Sequence, residues 1–451
     1  MNHSLPLVRR LRALALAALT LACGAARAVP AIEQWTAPTG AKVQFVASHE
    51  LPMIDIQVDF AAGSAADPAD KSGLASLTRA LLDAGAGELD EQAISEHGAD
   101  LGLILDGGVD EDRASLTLRT LSAASERDAA VALAATLLTR PTFPETVLER
   151  ERARALAGLR ESLTKPAVLA GRAFDAAVYA NHPYGRNISA ESLAAIRRDD
   201  LVAFHARHYS ARGASVTIVG DLDRAMAEKI AIALTRDLPA GGNAETLPPP
   251  APSQSGLTRI ANPSAQAHIL IGQPGMRRGD PDYFPLLVGN YILGGGGFTS
   301  RLMSEVREKR GLVYDIHSYF EPRRAAGPFQ IGLQTRGSQS ELALKVVRDT
   351  LAAFISQGPT EKELRMARDN LIGGFGLRLD ANAKILGHVS IIGFYGLPLD
   401  WLERYPREVA AVDRAAVRDA FTRRIHPDKL ITVIAGGDGD KAEGERAAAK
   451  P

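Results

Sequence analysis

The sequence predicts an α+β protein of two homologous domains, each an α/β sandwich. Three observations carry this expectation. The chain has 451 residues, too many for one ordinary core and suited to two domains of about 200 residues each. Alternating apolar runs and runs at helical spacing occur in both halves, in loosely repeated order. Residues 246–256, TLPPPAPSQSG, contain three consecutive prolines, which belong in neither a helix nor a central strand, so this segment reads as an extended linker. The resulting division is 1–28 as a signal peptide, 29–245 as a first domain, 246–256 as linker, 257–436 as a second domain and 437–451 as a polar tail.

In the first half, Met53 to Phe60 alternates. Ile54, Ile56, Val58 and Phe60 point one way and Asp55, Gln57 and Asp59 the other, the pattern of a half-buried strand. Residues 72–84 carry Leu74, Leu77 and Leu81 at helical spacing. Ala114 to Thr120 alternates again. Helical patterns cover 123–139 and 144–164, with Pro144 suited to a first turn. A strand from Ala214 to Val219 precedes Gly220. In the second half His268 to Gly272, 312–320 and 328–335 read as strands, and 280–293, Thr299 to Arg310, 340–357 and 360–379 as helices. A last strand, Lys429 to Ala435, precedes Gly436 as its counterpart precedes Gly220.

Composition excludes some roles. Formal net charge is -1 and aromatic content 5%, which leaves no electrostatic footprint for nucleic acid. Arg9, Arg10 and Arg12 precede an apolar stretch from Leu14 to Ala22, and Ala26-Arg27-Ala28 fits a small-x-small cleavage site. Cleavage after Ala28 would remove Cys23, the only cysteine, and with it any thiolate chemistry. An uncleaved anchor, or lipidation at Cys23, is the alternative. No later apolar run is long enough for a membrane helix, so the expectation is an exported, periplasmic protein.

Several strings resemble the pitrilysin/insulinase family of zinc peptidases, above all its short two-domain bacterial members and the mitochondrial processing peptidase subunits. They are FAAGSAADPADKSGLASLTRALLDAG, NHPYGRNISAESLAAIRRDDLVAFHARHYSARGASVTIVGDLD, NYILGGGGFTSRLMSEVREKRGLVYDIHSYF and FYGLPLDWLERYPREVAAVD. The resemblance runs from about residue 32 to 436. It implies two homologous domains per chain, and two such chains facing one another around a closed chamber.

Active members carry His-x-x-Glu-His on a helix. That spacing puts two imidazoles and a carboxylate on one face, able to hold Zn²⁺ and take a proton from its water. The matching positions here run from Ser76 to Ala80: serine and alanine replace the histidines, and Arg79 stands where the general base would be. Arginine cannot shed its proton, and about 4 Å from a dication it would be repelled by something on the order of 8 kcal/mol at an effective dielectric near 20. The stretch matching the third-ligand region is Ala153 to Gly158. Glu149, Glu151 and Glu161 flank it and read as a solvated helix face. The remaining histidines do not supply a site. Glu96-His97 is a lone pair, His205-x-x-His208 lacks a carboxylate between its members, and His182 belongs to a turn. No nucleophile elbow is present, and Gly294 to Gly297 is not followed by the Gly-Lys-Ser/Thr of a phosphate loop.

What survives is Arg307 and Tyr314. Both could donate hydrogen bonds to a peptide carbonyl or its oxyanion. The resemblance implies that they face the zinc across the chamber. By spacing alone Arg307 could instead pair with Glu305 or Glu308, and Tyr314 could simply pack. The glycines before Thr299 would either let a substrate strand approach or form an ordinary turn. The expectation is a non-catalytic, substrate-binding subunit without a cofactor of its own, whose partner is a homologous chain bearing His-x-x-Glu-His and zinc. A structural or assembly protein of the same fold is the alternative. A self-sufficient hydrolase is disfavoured by the histidine inventory.

Overall fold

A computed structural model describes residues 31–242 and 246–437. The expected signal peptide, Cys23 and the tail beyond residue 437 lie outside the described residues. The first sheet contains β1 (Glu33–Thr36), β2 (Lys42–Ala47), β3 (Met53–Phe60), β6 (Ile104–Asp106), β7 (Ala114–Leu121) and β8 (Ser215–Gly220), in the order β1-β2-β8-β3-β7-β6. A small ribbon of β4 (Gly85–Ala86) and β5 (Leu89–Asp90) lies apart. The second sheet, built from β9 (Gly256–Ile260), β10 (Gln266–Pro274), β11 (Val313–Phe320), β12 (Pro328–Arg336) and β13 (Ile431–Gly436), has the order β11-β12-β10-β13-β9.

The two sheets share one plan. In each, a central strand (β3, β10) runs antiparallel to both neighbours, and the last strand of the half (β8, β13) pairs in parallel with its first long one (β2, β9). The open edges β6 and β11 are therefore equivalent positions, as are the loops 107–113 and 321–327 that follow them. Those loops meet between the sheets. Arg323 pairs with Glu111 at 2.8 Å, and the Asp112 carboxylate accepts from the Arg324 N–H at 2.7 Å, from the Tyr184 hydroxyl and from the Tyr395 hydroxyl at 2.9 Å.

Two helices that periodicity did not single out tie the halves together. Pro166–Val178 belongs to the first half by sequence, yet it packs on β10 and β13 of the second sheet. Ala170, Phe174 and Val178 sit there against Ile431, Val433 and Ala435, and a Cβ at Gly272 would come within 2.7 Å of the Phe174 ring. Asn382–Tyr395 returns the exchange, packing on β2, β3 and β8. Its Gly393 lies so close to Gln44 that a Cβ would meet the amide at 2.3 Å. The segment 246–255 lies between the last strand of the first sheet and β9, whose first residue is Gly256, and each sheet is covered by a helix from across it.

This exchange corrects the reading of β3 as half-buried. Asp55 and Asp59 are 2% and 0% exposed, because the polar face of the strand lies beneath Asn382–Tyr395. That layer is held by polar contacts. Arg119 bonds Asp55 at 2.7 Å, Ser215 donates to Gln44 at 3.0 Å, and Gln57 donates to Asp59 at 2.8 Å. Arg113 stands 3.4 Å from Asp59 and 5.8 Å from the Phe394 ring centre. Other differences are local. Pro144 is the N-cap of Glu145–Ser162 rather than its first residue. The helix expected over Thr299 to Arg310 is a π-helical segment, Met303–Glu308. Gly311 ends it at φ 62°, as expected of a left-handed C′ glycine. No described helix is long and apolar enough to cross a membrane.

Two predictions follow from the exchanged layers. Neither half should fold without the other's helix, so chemical denaturation of the whole protein should show one transition; a half ending in the 246–255 segment that melts cooperatively alone would contradict this. Burial pushes the Asp59 carboxyl up to about 6. A carboxyl raised above its unfolded value binds its proton more tightly when folded, so its contribution to stability grows as pH falls through about 6. The Tm of the wild type minus that of Asp59→Asn should therefore increase from pH 8 to pH 5. A difference that stays flat or shrinks rules the assignment out.

Candidate functional site

The helix Leu74–Ala80 is set in place by its N-terminus. Gly73 adopts φ 106°, open only to glycine without strain, and the Asp67 carboxylate accepts from the N–H groups of Gly73 and Ala75, each at 2.7 Å. Burial pushes the Asp67 carboxyl up to about 6 against these bonds. Leu74, Leu77 and Thr78 face the core, whereas Ser76 and Ala80 face outward. Together they line a cavity of about 630 Å³, walled also by the helix Glu145–Ser162 through Glu151, Arg154, Ala155 and Leu159.

The donor set does not fit zinc. Ser76 and Ala80 bring a hydroxyl and a methyl where imidazoles would be required. Glu151 is spoken for, accepting from Arg150 at 2.9 Å and Arg154 at 3.0 Å. Among the described residues no three His, Cys, Asp or Glu side chains converge on a metal-sized space.

Arg79 takes a different course from the one its position suggested. It is 8% exposed and is not among the cavity walls. Its Nε donates to the Ser115 carbonyl at 2.6 Å, and an Nη donates to the Asp106 carbonyl at 2.7 Å. The guanidinium fills the point where the β6–β7 hairpin opens at Gly107, whose φ is 139° and whose Cβ would lie 2.7 Å from it. The guanidinium is thus turned into the hairpin and away from the cavity walls. The arginine is a staple between helix and hairpin.

The expected solvated carboxylates are partly so. Glu149 pairs with Arg152 on its own helix and Glu161 with Lys165 just beyond the helix end, while Glu151 faces the cavity. His205 donates to the Leu138 carbonyl at 2.9 Å. His182 accepts from the Tyr184 N–H at 3.1 Å and its other ring nitrogen faces the Pro248 carbonyl at 3.0 Å. Burial holds the pKa of both histidines down, and both are structural.

The second candidate site lies elsewhere, sharing no wall with the cavity. Arg307 and Tyr314 do come together: the guanidinium carbon sits 5.1 Å from the centre of the Tyr314 ring. A third residue, missed from sequence, completes the group. Phe298 lies 5.0 Å from the guanidinium, so the cation is held between two rings that are 66% and 81% exposed. Arg307 has no carboxylate partner among the described residues. Glu305, which spacing allowed, is taken by Lys309 and Arg310. Tyr314 projects because β11 slips register against β12 between Val313 and Ile316.

A groove of about 480 Å³ continues along β11 past Asp315 and His317, opposite Gly294, Gly295 and Gly297. Gly294 serves the chain's own packing, since a Cβ there would lie 2.5 Å from the Ser318 hydroxyl. Gly297 turns at φ 58° with open space around it, just before Phe298. The Asn290 amide donates to the Ser318 carbonyl at 3.0 Å and accepts from the Ser318 hydroxyl at 2.8 Å. The signal for Phe298 was present: a large apolar residue directly after four glycines has no helix face to bury itself on.

The two duplicated sheets, the exchanged helices and an outward-facing motif helix without ligands define a two-domain metallopeptidase fold whose metal positions have been replaced. The chain belongs to the insulinase family, peptidase family M16. The family's insulinase model matches residues 43–192 and that of the peptidase M16 inactive domain matches 195–371. A peptidase M16 inactive domain structure from Pseudomonas fluorescens is 40% identical, with a TM-score of 0.87, covering 90% of this chain and 97% of that one. A non-peptidase homolog from Helicobacter pylori is 25% identical over 86% of this chain and 90% of its own length. An uncharacterized zinc protease from Streptomyces coelicolor is 26% identical over 64% of this chain, and the match spans 65% of that protein.

Replacing Arg79 tests its role as a staple. Arg79→Met should cost about 1–3 kcal/mol for each carbonyl left without a donor, read as a lower midpoint in urea. The purified, untagged protein should hold no stoichiometric zinc by mass spectrometry. One zinc per chain with chelator-sensitive proteolysis would overturn the reading of Ser76 and Ala80.

Proposed function

We propose that this chain is the non-catalytic, substrate-binding subunit of a hetero-oligomeric zinc metallopeptidase of the cell envelope, and that it presents Arg307 and Tyr314 to the zinc site of a homologous partner. The observation that carries the proposal is the Arg307 platform. This guanidinium has no carboxylate partner among the described residues and lies against two exposed rings, so its in-plane donors are open to a ligand from outside the chain. The metal positions, in contrast, have turned to structural use or to small side chains.

In such an assembly the partner's zinc would polarise the substrate carbonyl and activate water. The residues of this chain would orient the peptide. Tyr314 and Arg307 each offer N–H or O–H donors to a carbonyl oxygen, and the rings of Phe298 and Tyr314 lie 5.0 and 5.1 Å from the guanidinium. The open edge of β11 offers main-chain groups to an extended segment. Asn290 occupies that edge at Ser318, so the free length is the part nearer Tyr314. Export to the periplasm belongs to the same proposal and rests on the Arg-rich, apolar N-terminal sequence.

The test is reconstitution with a homologous chain that bears His-x-x-Glu-His. Losing one oxyanion donor typically lowers turnover about a hundred- to a thousandfold. Tyr314→Phe and Arg307→Ala should both reduce peptide cleavage while the subunits still associate. Wild-type turnover in both variants, with the complex intact, would favour a protein of assembly rather than of proteolysis.

A further inference from the structure

The cavity beside Ser76 and Ala80 is not merely a vacated site. Its charged walls are unevenly paired. Asp110 is bound by Arg113 at 3.0 Å, Glu111 by Arg323 at 2.8 Å, and Glu151 by Arg150 and Arg154. Two further cations reach the same space, Arg172 and Arg186. Neither has a carboxylate within ion-pair distance among the described residues. Arg172 donates to the Ile188 carbonyl at 2.7 Å and Arg186 to the Asp67 carbonyl at 2.6 Å. The Asp67 carboxylate lies near enough to interact with Arg186 but is turned to the N–H groups of Gly73 and Ala75.

A guanidinium has five N–H donors, and each of these two has one identified acceptor. Partial burial also disfavours the charge on Arg172 and lowers its pKa. An anion entering the cavity would relieve that cost and take the spare donors in the bidentate manner that suits a carboxylate. Much of the remaining wall is apolar, with Leu77, Val109, Leu159, Ile188 and Leu193, while Asn187 adds an amide and Ser64 and Ser76 hydroxyls. The volume of about 630 Å³ lies in the range of small-ligand pockets.

We infer that this cavity binds the free C-terminal end of a peptide whose last residue is apolar, with Arg172 and Arg186 holding its carboxylate. A chain end carries a carboxylate and an apolar side chain on one Cα. An aspartate or glutamate inside a chain would bring its carboxylate with two further polar peptide groups and no adjoining apolar side chain. The inference concerns the first domain alone and does not depend on the partner or on Arg307.

The experiment is calorimetric titration of the mature protein with N-acetyl-alanyl-alanyl-leucine, its C-terminal amide, and decanoate. The free acid should bind. The amide should bind at least about tenfold more weakly, as should the acid to Arg172→Gln or Arg186→Gln, because each loses a charge-assisted hydrogen bond. Since both arginines also hold main-chain carbonyls, Ala80→Trp provides a variant that fills the cavity without touching those bonds, and it should abolish binding. Equal affinity for acid and amide, no binding of the acid to the wild type, or unchanged binding to Ala80→Trp would overturn the inference. Tighter binding of decanoate than of the peptide would overturn it too, since the pocket would then be reading a lipid acid.

Discussion

The contact between the two hairpin loops, 107–113 and 321–327, with the exchanged helices on either side of it, sets the relation of everything else. Asp112 accepts hydrogen bonds from both halves of the chain, and a buried carboxylate with several donors has few geometries available to it. Once that point is fixed, the duplicated plan leaves little choice. The open edges β6 and β11 fall at equivalent places, and so do the helices that precede them. The same contact explains why polar residues of the first sheet are buried. Gln44, Asp55 and Asp59 would be unremarkable on a solvated face. Under Asn382–Tyr395 they need partners, and Arg113 and Arg119 supply charge where water has been removed.

Each domain pins its open edge with a side chain from the helix that follows its central strand. In the first, Arg79 reaches the carbonyls of Asp106 and Ser115. In the second, Asn290 pairs with Ser318. An unpinned edge strand of three residues, such as β6, would be free to fray. A side chain that keeps the hairpin in place thus has a structural value independent of catalysis. This gives a physical reason for the position to hold arginine: its length and planar donors span two carbonyls on neighbouring strands, which a shorter donor could not do.

Much of this was legible in the sequence, and the parts that were not have a common cause. Strands were readable where one face was apolar, as in Ala114–Leu121 and Met53–Phe60. The outward turn of Ser76 and Ala80 follows from the three leucines at helical spacing. Arg307 and Tyr314 were singled out by motif and resemblance, and in the structure the guanidinium carbon lies 5.1 Å from the Tyr314 ring centre. Asn382–Tyr395 escaped notice because it is apolar on most sides and buried between layers. Pro166–Val178 does carry an apolar face at helical spacing, Ala170, Phe174 and Val178, which was passed over, and no spacing could say that this face packs on the other half's sheet. The true direction of Arg79 was equally hidden, since helical periodicity places a Cβ but not the end of a long side chain. Phe298 was missed because its neighbours are glycines, whose pattern says only that the chain turns.

The two candidate sites differ in what each keeps uncompensated, and that difference bears on function. Some arginines of this chain are closed off by carboxylates, as Arg423 and Arg424 are by Asp280 and Asp282, and others, such as Arg79, by main-chain carbonyls within the fold. What distinguishes the two candidate sites is that their cations stand at the edge of open space. Where a chain rich in carboxylates leaves particular arginines without one, the local arrangement has not been driven to electrostatic closure. At Arg307 the compensation is the faces of two rings, which leaves the in-plane donors available. At Arg172 and Arg186 it is main-chain carbonyls, which again leave donors over. Both places therefore stay receptive to oxygen ligands from outside the chain. A metal site needs negative or neutral ligands converging on a point, whereas these two sites present cations at the margins of open space. The two sites thus differ from a metal site in the sign of the charge they turn towards open space.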